Sequence, residues 1–412
     1  MRTLKSVTDN GQRIKRTVGI TLDICMGMLF RKTHNTAVYS THNKIRLVKG
    51  GKEYFTLLSQ LINEAKDSIH IRIYIWDDDY TGTEIAKQLI GAVQRNVSVF
   101  VVADGYASQC LSKHFVKWLK SHGIKFKYFE PLLKSHHFYF GRRMHEKLAV
   151  IDGGKALVGG INFADRYNDL GDQPAWLDYA LLVEGEAAEQ LQQYCQAGWH
   201  NSIKYFPKEL TPPADCRDCS VRISRNDWVN GKHEIWRTYS NGFKQSDESI
   251  TIMCSYFLPG RILRNRLSNA VKRGVKVKLI LAGPSDVKLA KYAERYLYGL
   301  LLEKGIEIYE YQPTILHAKM MVVDRHWVTI GSYNVNNVSA YASVELNLDI
   351  RNKAFALSIQ QLMNKIIEHD CIKVSEKKFT ANTNFLARLL QRSAYEIVRA
   401  VINLSTFYFR HE

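Results

Sequence analysis

The sequence predicts an α/β protein of two similar domains, each a mixed, largely parallel sheet flanked by helices, related by a pseudo-twofold axis. Three observations lead there. A pattern HxKxxxxD occurs twice, as His145, Lys147 and Asp152 in RRMHEKLAVIDGG and as His317, Lys319 and Asp324 in LHAKMMVVDRHW. Upstream stretches repeat in the same order: KDSIHIRIYIW from Lys66 answers DESITIMCSYF from Asp247, AVQRNVSVFVVADG from Ala92 answers AVKRGVKVKLILAG from Ala270, and HGIKFKYFEP from His122 answers KGIEIYEYQP from Lys304. Each half therefore runs strand, helix, strand, helix, strand and then a histidine strand, at spacings suited to βαβ units.

In chain order, residues 1–44 form an N-terminal extension. Its apolar run VGITLDICMGMLF, from Val18, is too short to span a bilayer and is interrupted by Asp23, so it reads at most as a membrane-surface segment. Residues 45–205 are the first domain and 220–375 the second, joined by a linker over 206–219 within PKELTPPADCRDCS. Residues 376–412 form a tail. There Phe385, Leu386, Leu389, Leu390, Ile397, Val398, Val401 and Ile402 make a helical apolar stripe bordered by Arg388, Arg392 and Arg399. Such a helix lies in a membrane interface or packs on the domain as its last element.

The repeat is not uniform. Ser68 and Ser249 lie 181 apart and Gly123 and Gly305 lie 182 apart, whereas His145 and His317 are separated by only 172. The first half thus carries extra residues, which fall in LLKSHHFYFGRR, Leu132 to Arg143. Phe138, Tyr139 and Phe140 form an aromatic tip flanked by Lys134, His136, His137, Arg142 and Arg143, which suits a lipid interface or a loop packed on its own rings.

With 412 residues, 46% of them hydrophobic, the chain can bury two full cores, and its formal net charge of +17 calls for an anionic partner: nucleic acid, a membrane surface or a phosphorylated substrate. The 7 cysteines are scattered and odd in number, as in a reducing compartment. Cys216 and Cys219 make one CxxC without the second pair that a zinc knuckle needs.

The chemistry follows from the doubled motif. Strand alternation puts His145, Lys147 and Ala149 on one face and Asp152 on the other. Gly159, Gly160 and Asn162 stand at the same offsets from their histidine as Gly331, Ser332 and Asn334. If the repeats pack face to face, His145 and His317 meet across one site, and Lys147, Lys319, Asn162 and Asn334 form a ring of donors for a phosphodiester. One histidine then serves as nucleophile and the other as general acid through a phosphohistidine, a scheme that requires no metal or cofactor. Asp152 and Asp324 enter the catalytic set with their motif, although carboxylates facing away from the histidines are better placed to fix the turn. Asp178, in PAWLDYALLVEG, and Glu345, in SAYASVELNLDI, are expected to hold the imidazole tautomers.

The doubled HxKxxxxD with the following GG or GS and Asn resembles the phospholipase D superfamily from about Ile45 to the tail. NKIRLVKGGKEYFTLL, IRIYIWDDDYTG, RRMHEKLAVIDGGKALVGGINFADRY, LDYALLVEGEA, MCSYFLPGRILRNRLSNAVKRGVKVKLIL, LHAKMMVVDRHWVTIGSYNVN and VELNLDI resemble the bacterial cardiolipin synthases, particularly the short B type. The resemblance implies that one phosphatidylglycerol gives its phosphatidyl group to a histidine and a second attacks through its glycerol hydroxyl, so that cardiolipin and glycerol leave. It also implies His145 as nucleophile and His317 as acid, roles that the internal symmetry leaves open. The implied partners are phosphatidylglycerol and an anionic membrane surface, and the implied location is peripheral, on the cytoplasmic face of a bacterial inner membrane. Alternatives are a phosphodiesterase acting on phospholipid or nucleic acid, a transferase using phosphatidylethanolamine with a glycerol acceptor, and, last because both copies keep the motif, a binding protein without catalysis. Two residues depart from the family pattern, Glu146 where a basic residue is common and Tyr333 where a small one is common, and both bear on the acceptor pocket.

Overall fold

The computed structural model describes residues 38–131, 142–199, 219–377, 379 and 385–406, with side chains of the last helix described as far as Val401. The N-terminal segment with Val18, the aromatic tip at Phe138 to Phe140, Cys216 with most of the linker, and the side chain of Ile402 lie outside the described residues.

The first half supplies β1 (Asn43–Lys49), α1 (Lys52–Glu64), β2 (Ser68–Ile73), α2 (Tyr80–Gln94), β3 (Ser98–Asp104), α3 (Lys113–Ser121), β4 (Lys125–Phe129), β5 (Arg143–Met144), β6 (Leu148–Ile151), β7 (Lys155–Gly159), β8 (Tyr179–Gly185) and α4 (Glu186–Trp199). The second supplies β9 (Ser220–Asp227), β10 (Lys232–His233), α5 (Glu234–Gln245), β11 (Ser249–Cys254), α6 (Arg261–Lys272), β12 (Lys276–Ala282), α7 (Lys288–Glu303), β13 (Glu307–Tyr311), β14 (Lys319–Val323), β15 (Trp327–Gly331), α8 (Asn337–Tyr341), β16 (Ser343–Arg351), α9 (Lys353–Asp370), β17 (Cys371–Lys373) and α10 (Phe385–Thr406). The strand and helix order read from the repeat is present in both halves. The domain start expected at residue 45 falls inside β1, whose register runs antiparallel to β8.

The sheets are ordered β1-β8-β7-β6-β2-β3-β4 and β10-β9-β16-β15-β14-β11-β12-β13-β17. Both are mixed, as expected, but the parallel part is narrower than the repeat suggested. Apart from the short parallel pairing of β5 with β16, parallel pairing of these strands among the described residues is confined to β2-β3-β4 and β11-β12-β13. The reason lies in the connections. Helices cross over between the parallel strands, whereas β6 and β7, like β14 and β15, are joined by turns of three residues that permit only a hairpin.

Those turns explain the motif aspartates. Asp152 (φ 50°) and Gly153 (φ 67°) in one copy, and Asp324 (φ 50°) and Arg325 (φ 56°) in the other, occupy the left-handed region. The Asp152 carboxylate accepts from the backbone N–H groups of Lys66, Asp67 and Ser68 at 2.8–2.9 Å, and that of Asp324 from Asp247, Glu248 and Ser249 at 2.8–3.0 Å. Each aspartate thus ties its hairpin to the start of the neighbouring strand.

Alternation along β6 and β14 sends one face of each sheet to its own half's core. The other face goes to a central core shared by both, where Leu148, Val150 and Leu181 of the first sheet cluster with Met253, Met320, Val322 and Leu348 of the second. Leu191 and Cys195 of α4 and Ile359 and Met363 of α9 complete this layer. Burial of apolar area across it, worth roughly 25 cal/mol per Å², makes the two repeats one body.

Candidate active site

The histidines stand just ahead of their strands rather than within them. Residues 145–147 lie between β5 and β6, and β5 leaves its own sheet to pair in parallel with β16 of the second half. The alternation that put His145 and Lys147 on one strand face therefore does not operate, because this stretch is held by the other repeat. His145 N–H donates to Val344 O at 2.8 Å, and His317 N–H donates to Leu177 O at 2.8 Å. Val344 and Leu177 are the residues that precede Glu345 and Asp178.

This exchange of backbone brings each imidazole to the opposite half's acid. His145 Nδ1 lies 2.9 Å from Glu345 Oε2, and His317 Nδ1 lies 2.6 Å from Asp178 Oδ2. Both expected orienting acids are thus in place, and their pairing is crossed. Each acid has a built seat. Along β16 the period of two puts Glu345, Asn347 and Asp349 on one face, where all three are buried. Glu345 Oε2 also accepts from Ser332 Oγ at 2.6 Å. At the matching position of the first half stands Gly160, where a Cβ would meet Asp178 Oδ2 at 2.5 Å. The GG and GS pairs therefore differ for a reason: glycine clears room for the aspartate that serves His317, while serine adds a donor to the glutamate that serves His145.

With Nδ1 bonded to a carboxylate, Nε2 is left for chemistry. His145 Nε2 makes no hydrogen bond among the described residues, whereas Tyr167 Oη lies 3.4 Å from His317 Nε2. Tyr167 and Trp176 hold the His317 ring, at centroid distances of 5.1 and 5.9 Å, and Tyr74 packs edge-on against His145 at 4.6 Å. Sequence reasoning missed these aromatics. The available signal was the break in the repeat, since Ser339 stands where the second half would match Tyr167.

Lys147 and Lys319 are buried, and each turns its ammonium back to the carbonyl of its own histidine. Lys319 Nζ also lies 3.0 Å from His317 Nδ1. Burial and their mutual repulsion hold Lys147 well below the usual lysine value, and burial lowers Lys319 against the pull of Asp178. The histidines follow: burial, with Lys319 and against Asp178, lowers His317 to about 3, and burial outweighs Glu345 to lower His145. Burial works to raise Asp178, but His317 and Lys319 keep it below the ordinary carboxylate value. An anion entering between the lysines offsets their repulsion and favours the charged forms of the lysines and histidines.

The two asparagines divide. Asn162 Oδ1 accepts from Ile75 N–H at 3.0 Å and its Nδ2 donates to Tyr167 Oη at 2.9 Å, so it positions Tyr167 instead of facing a ligand. Asn334 spends only Oδ1, on Cys254 Sγ, and its Nδ2 makes no hydrogen bond among the described residues. Asp152 and Asp324 leave the catalytic set, because their oxygens are occupied at the far turns. Glu146 and Tyr333 do not line the acceptor side. Glu146 is buried against Arg72 (2.6 Å) and Tyr194 (2.5 Å), and Tyr333 packs its ring on Tyr239 at 5.3 Å in the second half's core.

Comparison with known proteins supplies the family. The family described as "Cardiolipin synthase, PLD-like domain" matches residues 58–199 and 239–367. The chain is 31% identical to cardiolipin synthase B of Escherichia coli K12 over 83% of this chain and 84% of that protein. It is 30% identical to a cardiolipin synthase of Halalkalibacterium halodurans over 78% of this chain and 65% of that one. Among solved structures, phosphatidylserine synthase of Haemophilus influenzae superposes with a TM-score of 0.72 at 15% identity, covering 89% of this chain and 96% of the other, a likeness of fold. Two repeats, two crossed histidine–carboxylate pairs and these matches lead to one conclusion: the chain belongs to the phospholipase D superfamily, in the family of the cardiolipin synthase phospholipase D-like domain.

Proposed function

We propose that this enzyme is a cardiolipin synthase, moving a phosphatidyl group from one phosphatidylglycerol to another through a phosphohistidine. The observation that carries the reading is the pair of crossed contacts, His145 to Glu345 and His317 to Asp178, which directs both Nε2 atoms away from their acids. His145 is the nucleophile, because its Nε2 makes no hydrogen bond among the described residues and burial favours the neutral ring. Lys147, Lys319 and Asn334 Nδ2 receive the phosphate oxygens. The phosphate charge offsets the lysines and raises His317, which takes up a proton and becomes the acid.

The steps balance. His145 Nε2 attacks phosphorus, a P–N bond forms, the bond from phosphorus to the headgroup glycerol oxygen breaks, and that oxygen leaves with the His317 proton. The free glycerol hydroxyl of a second phosphatidylglycerol returns a proton to His317 as its oxygen attacks phosphorus, and the P–N bond breaks to release cardiolipin. Glu345, with Ser332, and Asp178 stabilise the positive imidazoles along the way. The enzyme works as a peripheral protein on an anionic membrane surface, at the cytoplasmic face of a bacterial inner membrane. Among the described residues, no helix is long and apolar enough to cross a membrane.

The test is product analysis with phosphatidylglycerol in mixed micelles and no added metal. Equimolar cardiolipin and glycerol support the proposal. Phosphatidic acid alone makes water the acceptor, and the absence of turnover overturns the lipid reading.

A further inference from the structure

A cavity of about 620 Å³ lies away from the histidines, between α7, β17 and α10. Lys288, Lys291, Arg295 and Lys373 line it together with Ser285, and Glu310 is the acid in the lining. Glu310 is shared by Lys291 at 2.8 Å and Arg295 at 3.5 Å, and Lys373 pairs outward with Glu307 at 2.7 Å. Lys288 forms no ion pair among the described residues. Gln391 of α10 also lines the cavity: it is only 8% exposed, and its side-chain amide makes no hydrogen bond among the described residues. A basic hollow with a buried, unspent amide is built for an anion.

Its surroundings select the kind of anion. Around it stand large apolar side chains in the open: Ile372 at 60% exposure, Leu386 at 66%, Leu390 at 61%, and Tyr292. Helix α10 buries Gln391 and Ala394 and sets Tyr395 on Tyr296 of α7, so one side is docked. On the side it leaves exposed, Leu386, Leu390, Ile397 and Val401 make a continuous strip. Of the two expectations for this helix, packing on the domain holds for one side, and the other side presents an apolar strip.

The placement is also right. The cavity residues Gly283 and Ser285 follow the C-terminal end of β12, and the end of β11 at Cys254 pairs with Lys319 of the active site. Cavity and histidines thus lie at one edge of the sheet, separated by roughly three strand spacings, or about 14 Å.

We infer that this cavity binds the headgroup of an acidic phospholipid in the bilayer, seating α10 and α7 on the membrane with the catalytic cleft turned toward the same surface. The lipid is held, not transformed. The inference rests on the lipid reading of the active site, but binding is measured without turnover, so the two fail separately.

The experiment uses the full chain carrying His145→Ala, and cosedimentation with phosphatidylcholine vesicles with or without added phosphatidylserine. Lys288→Glu combined with Gln391→Glu is expected to weaken binding to the acidic vesicles about tenfold or more, leaving the weak binding to pure phosphatidylcholine unchanged. Leu386→Asp with Leu390→Asp is expected to lower binding to both. In the His145 parent, the cavity variants keep turnover of monomeric short-chain phosphatidylglycerol, which shows that they fold. Unchanged binding to the acidic vesicles by the Lys288→Glu, Gln391→Glu pair overturns the inference, whatever the leucine pair does. So does displacement of the protein from acidic vesicles by inorganic phosphate at constant ionic strength, which would make free phosphate the ligand, or a variant-dependent change in self-association, which would make a second copy the occupant of the apolar strip.

Discussion

Replacing Glu345 with glutamine tests the crossed site at its most sensitive atom. The substitution keeps the shape of a buried side chain and an acceptor for His145 Nδ1, now 2.9 Å from Oε2, and removes only the charge. The lower bound on the loss is the difference between a charge-assisted and a neutral hydrogen bond, about 1–2 kcal/mol. The upper bound is the attraction between the carboxylate and the positive imidazole formed on phosphorylation, about 4 kcal/mol at an effective dielectric of 20. Turnover should therefore fall between roughly tenfold and a thousandfold. The assay compares phosphatidylglycerol with a phosphatidyl ester of nitrophenol, whose leaving group needs no acid. Glu345→Gln is expected to lose rate on both, since nucleophilic attack is common to them, whereas Asp178→Asn should lose far more on phosphatidylglycerol. Near wild-type rates for Glu345→Gln would refute the reasoning. The opposite pattern, with Asp178→Asn slow on both esters, would exchange the roles of the two histidines.

Further outcomes follow from the same geometry. Because His145 must be neutral to attack and its folded-state value is lowered, the acid limb of kcat/KM should lie below the ordinary imidazole value, near 6.5, in a pH–rate profile. By the same sign, both buried histidines contribute stability that is complete above the unfolded value and lost as pH falls, which denaturant unfolding across that range will show. Asp324→Ala, which strands three backbone donors, should cost about 1–3 kcal/mol in unfolding while the folded fraction keeps turning over; lost turnover at unchanged stability would return the aspartate to the catalytic set. Glu146→Ala should destabilise by about 3–5 kcal/mol by leaving Arg72 buried and unpaired, and a small effect would mean that water reaches that network. A double-mutant cycle on unfolding should find coupling between His317 and Asp178 and near additivity between His317 and Glu345.

Much of this was legible because it is local or repeated. The doubled motif and the three repeated upstream stretches carry strand order, helix order and the position of the chemistry. Even the orienting acids stood out, each following its motif at a comparable distance. The crossing did not, because His145 and Glu345 are 200 residues apart and nothing local marks which repeat will hold β5. Local pattern also misled at that point: alternation through RRMHEKLAVIDGG assumes one continuous strand, and the chain breaks between β5 and β6 to serve two sheets. The turn aspartates are legible in part, since alternation gives their facing direction while motif membership alone groups them with the catalytic residues. Glu146 and Tyr333 looked like changes to an acceptor pocket and proved to be buried, since a one-dimensional neighbour of a catalytic residue points wherever its backbone sends it. The Gly160 and Ser332 contrast is visible in sequence, but its meaning needs the partner acids in space.

The most direct measurement is a pulse and chase on one sample. Enzyme is mixed with limiting short-chain phosphatidylglycerol labelled at phosphorus, quenched in base and digested, and a second portion is chased with unlabelled phosphatidylglycerol before quenching. The expected result is label on the His145 peptide in the pulse and in cardiolipin after the chase, with no added metal. Label on the His317 peptide, or cardiolipin formed with no labelled protein at any time, would contradict the mechanism.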